Sequence, residues 1–253
     1  MNVRPVLALA GVAVLLLGGC GSDDPDRASD SPGSPSSSSQ TTVPTPEQLA
    51  ATLVSADTYD GTWTVNVPPD EQAVTDGVVT EDQRAFLPRI ELCGKASEES
   101  RAAVAALQWQ AFRQLDQTED DPIDMAAGDR SGHLVFVQEF LMAGDPADVE
   151  ATFEALRDGL RACEGDFPAG MEGPGTTEPM AVPPVGDDRF GELTTMEEAG
   201  GRAYWLLHTS WVRQGPVLVN LQVVDIVMGK GVRPVFTATD VDAFLTTAVD
   251  RLP

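Results

Sequence analysis

The chain reads as an α+β protein, an antiparallel sheet with helices packed on it, and three observations point there. Three β-rich runs, Arg189–Glu197, Arg202–Arg213 and Val217–Met228, follow one another with Gly200-Gly201 and Gln214-Gly215-Pro216 between them. Turn signals that short make the strands antiparallel neighbours in a meander. Asp145-Pro146 opens a run in which Val149, Phe153, Leu156, Leu160 and Cys163 fall on one helical stripe. Thr239-Asp240-Val241-Asp242 opens another, with Val241, Phe244, Leu245, Ala248 and Leu252 inward.

The domain starts near Glu47, where Leu49, Leu53 and Val54 mark the apolar edge of a short helix. Thr62–Val67 alternates through Trp63, Val65 and Val67, the pattern of a half-buried strand stopped by Pro68-Pro69. Asp70–Pro88 is acidic, weakly patterned and read as loop, and Ile90–Gly94 as a short strand or turn. Ser97 suits a helix N-cap with Glu98 and Glu99 in the first turn, and Val104, Leu107, Ala111 and Leu115 recur behind it at helical spacing. After the acidic break at Thr118–Pro122, Leu134–Met142 is apolar and β-rich, as a central strand would be. Glu164–Asp188 is read as a Gly/Pro-rich loop, long enough that a lid over a site is one of its two readings and disorder the other. No internal repeat is found.

Before the domain come two segments of different character. Arg4 precedes an apolar run from Val6 to Leu17, which suits a signal-peptide core and is short for a bilayer span. Leu17-Gly18-Gly19-Cys20 then resembles the lipobox of bacterial lipoproteins. That resemblance implies removal of residues 1–19 and acylation of Cys20 as the new N-terminus. A plain secretory signal or a buried helix are the other readings of the same stretch. Residues 20–46, rich in Ser, Pro, Asp and Thr, cannot bury enough apolar surface to order themselves and form a tether, leaving 47–253 as the domain.

The chain carries 40 acidic against 16 basic side chains, and removing 1–19 takes away one more base, Arg4. Such a surface repels phosphate backbones, which excludes nucleic acid as a partner. It also repels anionic headgroups, so membrane contact runs through the lipid anchor. With Cys20 assigned to lipid, Cys93 and Cys163 remain, an even pair in an oxidising compartment, and a disulfide is the default reading against two free buried thiols. Isolated cysteines and only two histidines, His133 and His208, give no metal site, and no motif calls for a cofactor.

The domain resembles the sensor-domain lipoproteins of actinobacteria, a family similar to the extracellular domain of a mycobacterial receptor serine/threonine kinase. The residues that carry this are Leu92-Cys93-Gly94 ahead of an Ala-rich helix and the Asp-Pro-started helix closing in Leu160-Arg161-Ala162-Cys163. Val185-Gly186-Asp187-Asp188, a strand pair and the terminal Arg251-Leu252-Pro253 complete them. The resemblance implies an α+β sandwich with a cleft, a Cys93–Cys163 bridge and an extracytoplasmic sensing or ligand-binding role. The kinase's domain carries two disulfides where this chain has cysteines for one.

Catalytic signatures are absent: no G-x-S-x-G, H-E-x-x-H, Walker or Rossmann pattern occurs. Gly170–Gly175 lacks the strand–helix context of a phosphate cradle, and Glu119-Asp120-Asp121 with Asp124 fits no EF-hand spacing. Alternation puts Tyr204, His208 and Ser210 on one face of their strand, and Asn220 with Gln222 opposite the Val217–Val223 stripe of the next. Together these five are the candidate ligand face, polar anchors among apolar residues. A solvated outer face is the plain alternative.

The reading that results is a non-enzymatic, lipid-anchored protein on the extracytoplasmic face of the cell membrane that binds an unknown small ligand. An envelope-protein docking module is second and an envelope hydrolase third. Cys20→Ser is expected to move the protein from the membrane to the soluble fraction, checked by fractionation and immunoblot.

Overall fold

The computed structural model describes residues 42–66, 77–79, 90, 93–117, 132–170, 173–197, 203–228, 234 and 236–253. Cys20, the tether up to residue 41, the acidic run at 118–124 and nearly all of 70–88 lie outside them, whereas Pro46, counted with the tether, is the first residue of α1. Helices α1 (Pro46–Thr52), α2 (Glu98–Ala106), α3 (Pro146–Ala162) and α4 (Ala238–Asp250) pack on one sheet. Its strands are β1 (Trp63–Asn66), β2 (Ala111–Gln117), β3 (Gly132–Ala143), β4 (Gly165–Gly170), β5 (Gly173–Met180), β6 (Asp188–Glu197), β7 (Ala203–Gln214) and β8 (Val217–Met228). All neighbours are antiparallel, in the order β1-β2-β3-β8-β7-β6-β5-β4. The α+β expectation holds, as does the meander of the late strands. Gly215, at φ 55°, turns β7 into β8 where only a residue without Cβ sits without strain.

Connectivity explains the role of α3. The chain builds β1 to β3, leaves the sheet centre at Ala143, and must restart at the far edge in β4 before winding back to pair β8 with β3. Five inter-strand steps of about 4.8 Å make that journey roughly 24 Å. A helix of 17 residues rising about 1.5 Å each is roughly 25 Å long. Asp145 caps it by accepting from the Ala147 N–H at 3.0 Å, and Pro146 takes a first-turn position where no N–H is needed.

Two cores follow, one on each face. Beneath α1 and α4, Leu49, Leu53, Leu141, Val219, Leu221, Val241 and Leu245 are fully buried or nearly so. On the other face, under α2 and α3, lie Trp109, Trp211, Leu218, Phe153, Leu156 and Leu160. An aromatic row runs across the sheet there. Phe112 meets Phe140 at 4.6 Å, Phe140 meets Trp109 at 5.5 Å, Trp109 meets Trp211 at 5.8 Å, and Trp211 stacks on Phe190 at 6.1 Å. Phe153 of α3 contacts the end of the row edge-on at 5.2 Å. Such pairs add about 0.5–1.5 kcal/mol each beyond area burial.

Cys163, the C-cap of α3 and 1% exposed, is bonded to Cys93, 70 positions away. In the chain-entropy picture a loop of that size contributes about 4 kcal/mol.

Two expectations are corrected. The helix behind Ser97 ends at Ala106, and Ala111 and Leu115 belong to β2. Residues four apart lie on one side of a helix and of a strand alike, so these two fit both periods. The expected loop 164–188 is mostly the antiparallel pair of β4 and β5, with residues 181–187 as loop before β6. Its Gly and Pro content hides a strand pair at the sheet edge, where proline is tolerated. Cys93 and Gly94 lie in a bend, in keeping with the turn of the two readings offered for 90–94.

Helix α3 approaches α2 closely at Gly159, where an added Cβ would collide with the buried Ile90 side chain and lie 2.9 Å from the Ser100 Cβ. Ala for Gly in a helix ordinarily gains about 1 kcal/mol, whereas overpacking costs about 1–3. Gly159→Ala is therefore expected to lower stability by up to about 2 kcal/mol, read from urea unfolding midpoints.

Candidate functional site

The register decides which of the candidate ligand residues can meet. His208 lies opposite Val223 and Ser210 opposite Leu221, while Asn220 lies opposite Trp211 and Gln222 opposite Thr209. Directly opposed residues share a face. Tyr204, His208 and Ser210 thus point to the α1/α4 side, and Asn220 and Gln222 to the α2/α3 side. The five do not form one surface.

On the α1/α4 side the polar residues are enclosed. Ser210 is 1% exposed and His208 8%, and the His208 Nδ1 lies 3.4 Å from the Met180 Sδ. Burial disfavours the imidazolium and holds His208 below its ordinary value of 6.5, partly countered by the negative charge of Asp225. Asp225 is itself buried and meets the other histidine, His133, at 3.1 Å. Both histidines of the chain therefore flank one carboxylate, a grouping that strand alternation predicts only once the register is known. Tyr204, at 45% exposed, stands apart at the open end.

The α2/α3 side carries a polar row beside its aromatic one. Gln114, Gln138, Gln222, Thr209 and Glu192 are successive partners on β2, β3, β8, β7 and β6. The Gln138 amide donates to the Gln114 carbonyl at 2.8 Å, and Gln114 donates to Asp116 at 2.7 Å. Gln222 donates to Asn220 at 2.9 Å, and Asn220 to the Ser210 carbonyl at 3.2 Å. These side chains are half-buried or buried.

At its β6 end the row meets a cleft of about 350 Å³. The end of α3 forms one wall through Leu160, Arg161 and Glu164. Pro179, Met180, Val182 and the start of β6 from Asp188 to Glu192 form the other. Apolar surface from Leu160, Met180 and Phe190 is thus edged by two arginines, Arg161 and Arg189, and by carboxylates. Asp188 is drawn toward α3 by Arg157, whose Nη1 lies 3.3 Å from the Asp188 Oδ2. Sequence reasoning missed this cleft because half of it is built from the stretch read as loop. Among the described residues no group of three or more His, Cys, Asp or Glu is arranged to hold a metal ion.

No protein-family model matches the chain, and no curated protein matches it. Two solved structures resemble it at low identity. The extracellular domain of PknH from Mycobacterium tuberculosis is 14% identical, with a TM-score of 0.44, over 83% of this chain and 97% of that one. LpqN, described as involved in cell envelope biogenesis of Mycobacterium tuberculosis, is 13% identical, with a TM-score of 0.23, over 77% of this chain and 82% of its own.

The enclosed setting of His208 generates a direct expectation. Its imidazole should titrate with a midpoint below 6.5, so that it stays neutral at pH 7, and NMR of the ring protons against pH reads this. The stability linked to it is present above 6.5 and lost as pH falls through the lowered midpoint.

Proposed function

We propose that the protein is a non-enzymatic binding domain, held by a lipid on Cys20 to the extracytoplasmic face of the membrane, whose small ligand occupies the cleft between the end of α3 and β5–β6. The observation that carries this reading is the cleft itself. Its volume of about 350 Å³ is in the range of small-molecule sites, and its lining sets Leu160, Pro179, Met180, Val182 and Phe190 beside the charged Arg161, Glu164, Asp188, Arg189 and Glu192, apolar surface together with groups that could orient a polar ligand. The extracytoplasmic setting rests on the lipobox-like Leu17–Cys20 and on the Cys93–Cys163 bond, which persists in oxidising compartments. The non-enzymatic reading rests on the fate of His208 and Ser210. They share a face of β7, but both are enclosed, and the imidazole is directed at a thioether. A second reading, docking of an envelope protein, draws on Tyr204, 45% exposed at one end of the sheet.

The full chain purified in detergent is expected to carry a small-molecule adduct in native mass spectrometry. Val182→Trp, which fills the cleft, should remove it. A wild-type protein without adduct, or an adduct retained by the filled variant, would count against the cleft.

A further inference from the structure

The segment that follows the tether is held to the sheet in an unusual way. Three ionisable side chains from three elements converge on the backbone of Thr52, Leu53 and Val54 at the end of α1. Arg251, just past α4, donates from Nε to the Thr52 carbonyl at 2.9 Å and from Nη2 to the Leu53 carbonyl at 3.2 Å. Arg113 on β2 donates from Nη1 to the Val54 carbonyl at 3.0 Å. Glu139 on β3 accepts the Val54 N–H at 2.8 Å through Oε2. The arginines satisfy carbonyls that a helix end leaves without partners.

Glu139 differs from the other two. It is a carboxyl with no exposure at all, and its Oε1 has no hydrogen-bond partner among the described residues. A buried ionised carboxylate that lacks full hydrogen bonding is strongly disfavoured, and it regains water only if something above it moves. What covers it is the turn at Val54 and the apolar underside of α1, Leu49 and Leu53. The remaining groups that act on it are Arg251 and Arg113, which favour the anion, and the buried Tyr59. The Tyr59 hydroxyl donates to the Phe244 carbonyl at 3.4 Å and stays neutral. From β8 the facing residue is Leu221, which is apolar.

We propose that residues 46–58 are a strap that is latched on the sheet while Glu139 is protonated and lifts as Glu139 ionises. Burial raises the Glu139 carboxyl from 4.5 to about 7, and the two arginines counter this only in part. A carboxyl raised in the closed state stabilises that state fully below 4.5, and the stabilisation is lost as pH rises through about 7. The strap sits where the tether enters the domain, and its release would uncover Leu141 and Val137.

Hydrogen exchange of the full chain in detergent, followed by mass spectrometry, tests this. The probe is the peptide covering 46–58, compared with a β7–β8 peptide after correction for the intrinsic pH dependence of exchange. Between pH 5 and pH 8 the strap should lose protection relative to the core by roughly one to two orders of magnitude. In Glu139→Gln the ratio should stay flat. Should that variant not fold, Glu139→Met serves in its place. A wild-type ratio that does not change with pH overturns the proposal, as does the same change in a variant without the carboxyl. Equal loss of protection everywhere overturns it too, since that would be global unfolding.

Discussion

The contact between the transverse helix α3 and the aromatic row beneath it is the constraint on which the remaining architecture rests. The chain leaves the centre of the sheet and returns to its edge, and only an element of the right length closes that gap. Phe153, packed on Phe190, and Leu156 fasten the helix midway across, and Cys163 bonded to Cys93 fastens its end. Everything built afterwards, β4 to β8, starts from where this helix stops. The cleft exists for the same reason, because the terminal turn of α3 stands off the β5–β6 edge and leaves a space between them.

The two faces of the sheet solve different problems. Under α1 and α4 the surface is covered, and the polar groups it contains, Glu139, His208, Ser210 and Asp225, are enclosed with it. On the other side an amide row crosses the sheet beside the aromatic one, and Val224 and Ile226 beyond it are buried as well. A cluster read from two strands as a single surface is thus divided between the two faces of the sheet.

Much of this was legible in the sequence. The α3 stripe from Val149 to Leu160, the three late strands and the apolar β3 carry long, unambiguous periods, and the cysteine pair follows from parity and compartment. The misreadings have physical causes. Ala111 and Leu115 satisfy two periods at once, and Leu107, nearly buried as the extended cap of α2, closes the helix without a Gly or Pro to announce it. The β4–β5 hairpin is built from Gly, Pro and Thr, residues whose preferences describe a loop until a neighbouring strand supplies the hydrogen bonds. Alternation assigns each side chain to a side of its own strand, but only pairing says which sides coincide. That is why Asn220 and Gln222 parted from His208. Glu139 was visible as an acid inside an apolar run, and its importance came from what the fold placed over it.

The bonds from Arg251 to Thr52 and Leu53 tie the first helix of the domain to the end of its last one. A pull arriving along the tether would therefore load these few hydrogen bonds before it reached the strand ladders. The strand pairs would bear load only after the clamp had yielded.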